Sequence, residues 1–399
     1  MKSKPAKSAT PSAPVVLSAS DLRAALALAQ SAARGVLAIT EGVHQSVRSA
    51  LALPSGAEPD RTGGWTGRVY AALHSINTGV GSGLQRAFTL LEDRLQQQPD
   101  AEPHPSRLAM LAVINGVMGD HLHAERNPLA LKMQLRAFGQ PLERAIAADA
   151  SAFSAHALVL VHGLCMNDLQ WANAADPGHG AALAEAHGCT PVYVRYNSGQ
   201  PIAENGRELA GALEQLQRTW PVPLQRISVL GHSMGGLVAR SAEHHASRDR
   251  MPWRGLLSDL LMIGCPHLGS PLERAGFGVD RLLESLPYAR HFARLGQLRS
   301  TGITDLRHGH VTADATLLPL PAGVRCRAIA GVLARQRSPL AERLLGDGLV
   351  PLHSALGHAE DAAHSLQFAK GSTAVLYATG HLDLLRSTTA RHRLIGWLS

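Results

Sequence analysis

Along the first third of the chain apolar residues recur at threes and fours, whereas beyond Ala155 they come in short unbroken runs. Leu22, Ala25, Leu26, Ala29, Ala33, Val36 and Leu37 set the helical period over residues 21–53. A second such stretch spans 66–95, interrupted by the Gly-rich segment 79–83. Pro99, Pro103 and Pro105 separate it from a third, which begins near Ser106 and includes Leu108, Leu111, Ile114 and Val117. Residues 1–17, rich in Lys, Ser, Ala and Pro without apolar periodicity, predict a disordered tail, and residues 18–150 a helical N-terminal extension.

The unbroken runs lie at 156–162, 192–196, 227–230, 260–265, 324–332 and 374–378, with helix-compatible segments such as 204–220 and 235–244 between them. Strands that lack a polar alternate position are buried on both faces, and alternation with helices makes the sheet mainly parallel. The expected architecture is therefore an α/β domain over residues 151–399, preceded by the helical extension. Functional groups in such sheets gather at the carboxyl ends of the strands.

The run 227–230 leads into Gly231-His232-Ser233-Met234-Gly235, and a helix-like stretch follows. A serine between glycines on a tight strand-to-helix turn reads as a nucleophile elbow, and the helix start favours developing negative charge. GxSxG also occurs as an ordinary turn in a Gly-rich chain; the strand before it and the helix after it favour the catalytic reading. A tetrahedral oxyanion needs backbone donors. The amides of Leu164, in His162-Gly163-Leu164 after the first run, and of Met234 are the candidates, with His162, Gly163 and His232 lining the site. The acid and the base are expected downstream in that order. Asp347, between two glycines after the run 324–332, would orient an imidazole, and His381, after the last run, would carry the proton. Asp383, two residues beyond His381, either competes as the acid or opens a helix.

Taken in order, HGL (162–164), GHSMGGLVAR (231–240), IGCPHLGSP (263–271), GDGLVP (346–351) and GHLDLL (380–385) resemble the α/β-hydrolase superfamily. Within it the likeness is to bacterial lipases and esterases, including the type related to the GPI inositol-deacylase. IGCPHLGSP is similar to the TPHxGS segment of such lipases, with Cys265 in place of the usual threonine, so that His267 is expected to line the site and not to act as a second base. The resemblance also implies a cap or lid over 270–321, for which an ordinary packing helix is the alternative. Tyr196-Asn197-Ser198-Gly199 and Asn205-Gly206 either shape an acyl pocket or make turns. The two strands that open larger members of the fold are not evident before Ala155.

Composition adds limits. The formal charge of +7 is spread along the chain, without the clustering or aromatic interleaving of a nucleic-acid footprint, although contact with an anionic membrane surface is compatible with it. Cys165, Cys189, Cys265 and Cys326 show neither CxxC nor Cys/His spacing, which predicts no metal site and a reducing compartment. Without a signal-like leader or an apolar span of about 20 residues, the expected location is the cytoplasm. The resemblance implies a serine hydrolase of carboxylic esters, lipid or medium-chain, working through an acyl-enzyme on a small-molecule or lipid ester and without a cofactor. Acyl transfer, thioester cleavage or peptide cleavage would use the same residues. A membrane- or partner-binding role of the helical extension is the non-catalytic alternative. Oligomeric state is not legible in the pattern.

Overall fold

The computed structural model describes residues 105–270, 300–337 and 346–398. The tail expected over 1–17, the helices over 21–53 and 66–95, and most of the cap expected over 270–321 lie outside these residues. The chain divides into two compact units, Met1–Arg107 with Ala124–Leu129, and Leu108–His123 with Ala130–Ser399. In the first, Asn127 Oδ1 accepts the Leu129 N–H at 2.9 Å. The second holds the sheet.

Helix α1 (Pro105–Ala124) occupies the third helical stretch of the sequence and leaves helical geometry at Met118 (φ −142°, ψ 24°). The strands are β1 (Gln134–Ala137), β2 (Gln140–Pro141), β3 (His156–Val161), β4 (Thr190–Arg195), β5 (Arg226–His232), β6 (Leu257–Ile263), β7 (Arg325–Val332) and β8 (Thr373–Tyr377). Their order in one sheet is β2-β1-β4-β3-β5-β6-β7-β8. β1 runs antiparallel to both neighbours, and β4 through β8 are parallel. Each of the six apolar runs forms one of the strands β3 to β8. The sheet nevertheless begins at Gln134, inside the segment that the sequence pattern assigned to the helical extension.

Alternation along the strands explains why most of their positions are apolar, with polar residues few, among them Ser228 in β5 and Arg325 and Arg327 in β7. Ala157, Val159, Val161, Val192, Val194, Val229, Leu260 and Met262 face one layer, which includes Leu209, Leu213 and Leu216 of α4 (Ile202–Thr219) and Leu237 and Val238 of α5 (Met234–Asp249). Leu158, Leu160, Leu230, Leu261, Ile263 and Ile329 face the other, against Leu183 of α3 (Gly178–His187; α2 is Leu142–Ala148) and Leu394 and Leu398 of the C-terminal helix Thr388–Leu398. Both faces are therefore dry, and each fully buried leucine contributes about 1.5–3 kcal/mol relative to an exposed one. Pro221 and Pro223 follow α4 directly and stop it at Thr219.

The chain passes from β3 outward to β4 and returns on the other side of β3 to lay down β5. The switch point thus falls between β3 and β5, the place where open parallel sheets form their crevice. The segments leaving those two strands are His162-Gly163-Leu164 and Ser233-Met234. Among the described residues no helix is long and apolar enough to cross a membrane.

Candidate active site

Ser233 joins β5 to α5 with φ 55° and ψ −125°. This backbone region is rare for a side-chain-bearing residue and costs on the order of 1–3 kcal/mol, so its surroundings must enforce it. Ser233 N–H donates to Ile263 O at 2.9 Å, and Gly236 N–H donates to Ser233 O at 3.1 Å. The neighbouring glycines are sterically required. A Cβ on Gly231 would lie 2.5 Å from Gly236 Cα, and one on Gly235 would lie 2.1 Å from Val161 O. The helix start therefore passes against both its own strand and β3.

Across the switch point, a Cβ on Gly163 would come within 3.0 Å of Ser233 Cβ. The loop after β3 thus runs against the elbow. Met234 is the first residue of α5, and its N–H has no acceptor within the helix. Among the described residues, neither the Leu164 nor the Met234 amide makes a hydrogen bond, although both residues are buried. Two uncommitted donors therefore flank the serine from two different strands, as an oxyanion site requires.

Asp347 and His381 leave β7 and β8, which are adjacent in the sheet. Asp347 Oδ2 accepts from His381 Nδ1 at 2.7 Å, and Oδ1 accepts the N–H groups of Leu349 (3.0 Å) and Val350 (2.7 Å). His381 N–H donates to Asp347 O at 3.0 Å. Two other His–carboxylate pairs, His310–Asp305 and His364–Asp361, are more exposed, whereas the His381 and Asp347 side chains are 5% and 0% accessible. Asp383, the competing acid, is exposed, and its Oδ2 accepts the Gly380 N–H at 2.9 Å at the start of a short 3₁₀ turn.

The remaining predicted histidines are buried and neutral. His162 stacks on Tyr196 at 4.3 Å and donates from Nδ1 to Gly163 O; burial pushes its pKa down to about 4. His232 donates from Nε2 to His381 O at 3.2 Å, with the ring centroids 4.8 Å apart; burial and the neighbouring His381 hold it well below the usual histidine range. His267 has polar contacts with Cys265 Sγ (3.6 Å) and Arg240 (3.4 Å) and lies 5.8 Å from the Phe368 ring. Burial, and then the Arg240 charge, lower its pKa. All four cysteines are buried free thiols. Among the described residues no group of His, Cys, Asp and Glu is arranged to hold a metal ion.

Several contributors carry no motif. Asp168 is buried between Arg195 (2.6 Å) and Arg136 of β1 (3.1 Å), just beyond the loop that bears Leu164. Ser198 Oγ accepts the Cys165 N–H at 3.0 Å. Asn197–Gln200 forms a turn closed by the Gln200 N–H on Asn197 O, and Asn197 also takes hydrogen bonds from Gly199 N–H and Asn205 Nδ2. A cavity of about 620 Å³ opens between Met166 and Gln170 on one side and Thr379, Leu382 and Arg386 on the other, beside the His381 loop.

A mainly parallel sheet with its switch point beside a strained serine elbow, and a buried His–Asp pair after its last two strands, is the arrangement of the α/β-hydrolase fold. Over part of its length the chain is similar to lipases and esterases. Residues 152–318 match the family described as "Putative serine esterase (DUF676)". Over 143 residues the chain is 33% identical to a triacylglycerol lipase of Burkholderia plantarii, a match that covers 35% of this chain and 36% of that relative. The matched region thus spans about a third of the relative's length. Among solved structures, the mature form of the Bacillus licheniformis lipase BlEst2 aligns at 14% identity and a TM-score of 0.40, over 61% of this chain and 91% of that one. The Staphylococcus hyicus lipase aligns at 12% identity and a TM-score of 0.38, over 61% and 94%.

Proposed function

We propose that the protein hydrolyses carboxylic esters, lipid or medium-chain, through an acyl-enzyme on Ser233. The observation that carries this reading is the buried 2.7 Å bond from His381 Nδ1 to Asp347 Oδ2, on loops leaving the strands that follow β5 and β6 in the sheet. With Nδ1–H committed to Asp347, the free Nε2 lone pair is the base. Ser233 Oγ attacks the ester carbonyl carbon while its proton passes to His381 Nε2. The Leu164 and Met234 amides receive the oxyanion. Collapse breaks the carbonyl–alkoxy bond, and His381 returns the proton to the departing alcohol. Water then repeats the sequence on the acyl-enzyme and releases the acid. Asp347 keeps the imidazole in this tautomer and stabilises the imidazolium without taking the proton. The lipase-like sequence match supports oxygen esters with an apolar acyl group as the substrate class.

The test is hydrolysis of a p-nitrophenyl ester series from short to long acyl chains by wild type and by Ser233→Ala. The variant is expected to lose turnover by a factor on the order of 10⁴ or more, and the chain-length optimum separates esterase from lipase behaviour. Full activity in a folded Ser233→Ala protein would refute the mechanism.

A further inference from the structure

Helix α1 precedes every strand of the sheet, yet its backbone touches the loop that carries Leu164. A Cβ on Gly116 would fall 2.2 Å from Cys165 Sγ and 2.9 Å from both Cys165 Cα and Cys165 N. Nothing larger than hydrogen fits between the two backbones at that point. Cys165 itself has φ 58°, in the left-handed region that a side-chain-bearing residue adopts only when its surroundings enforce it.

The enforcing contacts are all present. Cys165 N–H donates to Ser198 Oγ at 3.0 Å, and Met166 N–H donates to Gly163 O at 3.3 Å. α1 is tied to the same neighbourhood, since Asn197 Nδ2 donates to Gly119 O at 2.8 Å and Ser300 Oγ donates to Gly116 O at 2.7 Å. Beyond the loop, Asp168 is gripped by Arg136 and Arg195. The loop is thus fixed at both ends, and α1 supplies the wall at Cys165.

We propose that α1 is a positioning element of the oxyanion site, with Gly116 against Cys165 setting where the Leu164 N–H lies relative to Ser233. This rests on the ester-hydrolase reading above. Leu164 is bonded directly to Cys165, so a displacement of Cys165 moves the donor. Small misplacements of a preorganised group are costly, about 10²-fold for 1 Å. The segment upstream of the α/β pattern would then belong to the catalytic machinery through its backbone and would touch no substrate.

The experiment is a cycle of Gly116→Ala, Cys165→Ala and the double variant in the full chain, read as kcat, KM and melting temperature with a p-nitrophenyl ester. Alanine is the better helix former, so α1 itself is not weakened by the first change. Gly116→Ala is expected to lower kcat by about tenfold to a hundredfold with KM moved by less than about threefold. Cys165→Ala removes the sulfur nearest the new methyl, so the double variant should regain about threefold or more over Gly116→Ala. A Gly116→Ala kcat within about twofold of wild type, or no recovery in the double variant, would overturn the proposal. Should Gly116→Ala fail to fold, Cys165→Ala alone decides: a kcat lowered by about threefold at constant KM supports the contact, and an unchanged kcat refutes it. A wild type inert towards all esters would overturn the hydrolase reading and this proposal together. An active wild type with an unimpaired Gly116→Ala overturns this proposal alone.

Discussion

His381 is tethered to Asp347 twice, by Nδ1 to the carboxylate at 2.7 Å and by its backbone N–H to the Asp347 carbonyl at 3.0 Å. The second tether does not depend on the charge of the side chain, so the loop position and the imidazole tautomer are separable by mutation.

Asp347→Asn keeps the backbone bond and, with its single oxygen on the Leu349 and Val350 amides, presents an NH₂ to the imidazole. The expected result is a fall in kcat on the order of 10³–10⁴ with KM little changed and a melting temperature within a few degrees of wild type. Steady-state kinetics and a thermal melt on the same preparation check both halves. A loss of folding comparable to the loss of turnover would mean that the carboxylate is structural.

Acid should destabilise the fold well above the carboxylate range. In the unfolded chain His162 takes up its proton as the pH falls through about 6.5, whereas in the folded chain burial delays uptake to about 4. The stability associated with the neutral ring is therefore complete above about pH 6.5 and is lost progressively between 6.5 and 4, to a total of about 3 kcal/mol for this residue. His232 and His267, depressed for the same reason, add in the same direction. Urea midpoints measured from pH 7.5 to 4.5 should decline through that window, and a flat profile would contradict the burial of neutral histidines.

Asp168→Asn leaves the Arg136 and Arg195 guanidinium groups buried without a carboxylate between them. Breaking a buried ion pair from one side costs about 3–5 kcal/mol, and here the loss should show in both stability and turnover, because the pair closes the loop bearing Leu164. Denaturant unfolding beside ester hydrolysis checks this. An Asp168→Asn protein as stable as wild type would show that water or another group compensates the two cations.

The parallel part of the sheet was legible because both its faces are covered, so the runs that form β3 to β8 are apolar for most of their length, with Arg195, Ser228, Arg325 and Arg327 among the exceptions. β1 was not legible for the opposite reason. Arg136 sits in the middle of that strand and reads as solvent-exposed, while its charge is met by Asp168, 32 residues downstream, in a contact that no local pattern encodes. Ser233, Asp347 and His381 were read as candidates from their places after strand ends, and the structure brings Asp347 and His381 into direct contact. Their surroundings were less legible: Gly116 meets Cys165 by shape alone, Ser198 was read only as part of a pocket or a turn, and Asp168 signals nothing until two arginines from other strands are beside it. The resemblance implied that His267 lines the site; in the structure its ring contacts Cys265 and Arg240.

The sheet's first edge has a consequence for how this chain behaves among its own copies. β2 is only two residues long, and the second is Pro141, which has no N–H to donate. An incoming strand would find at most one amide donor there, too little to template intermolecular pairing, so this margin of the sheet is protected against edge-to-edge aggregation by its brevity and by one imino acid.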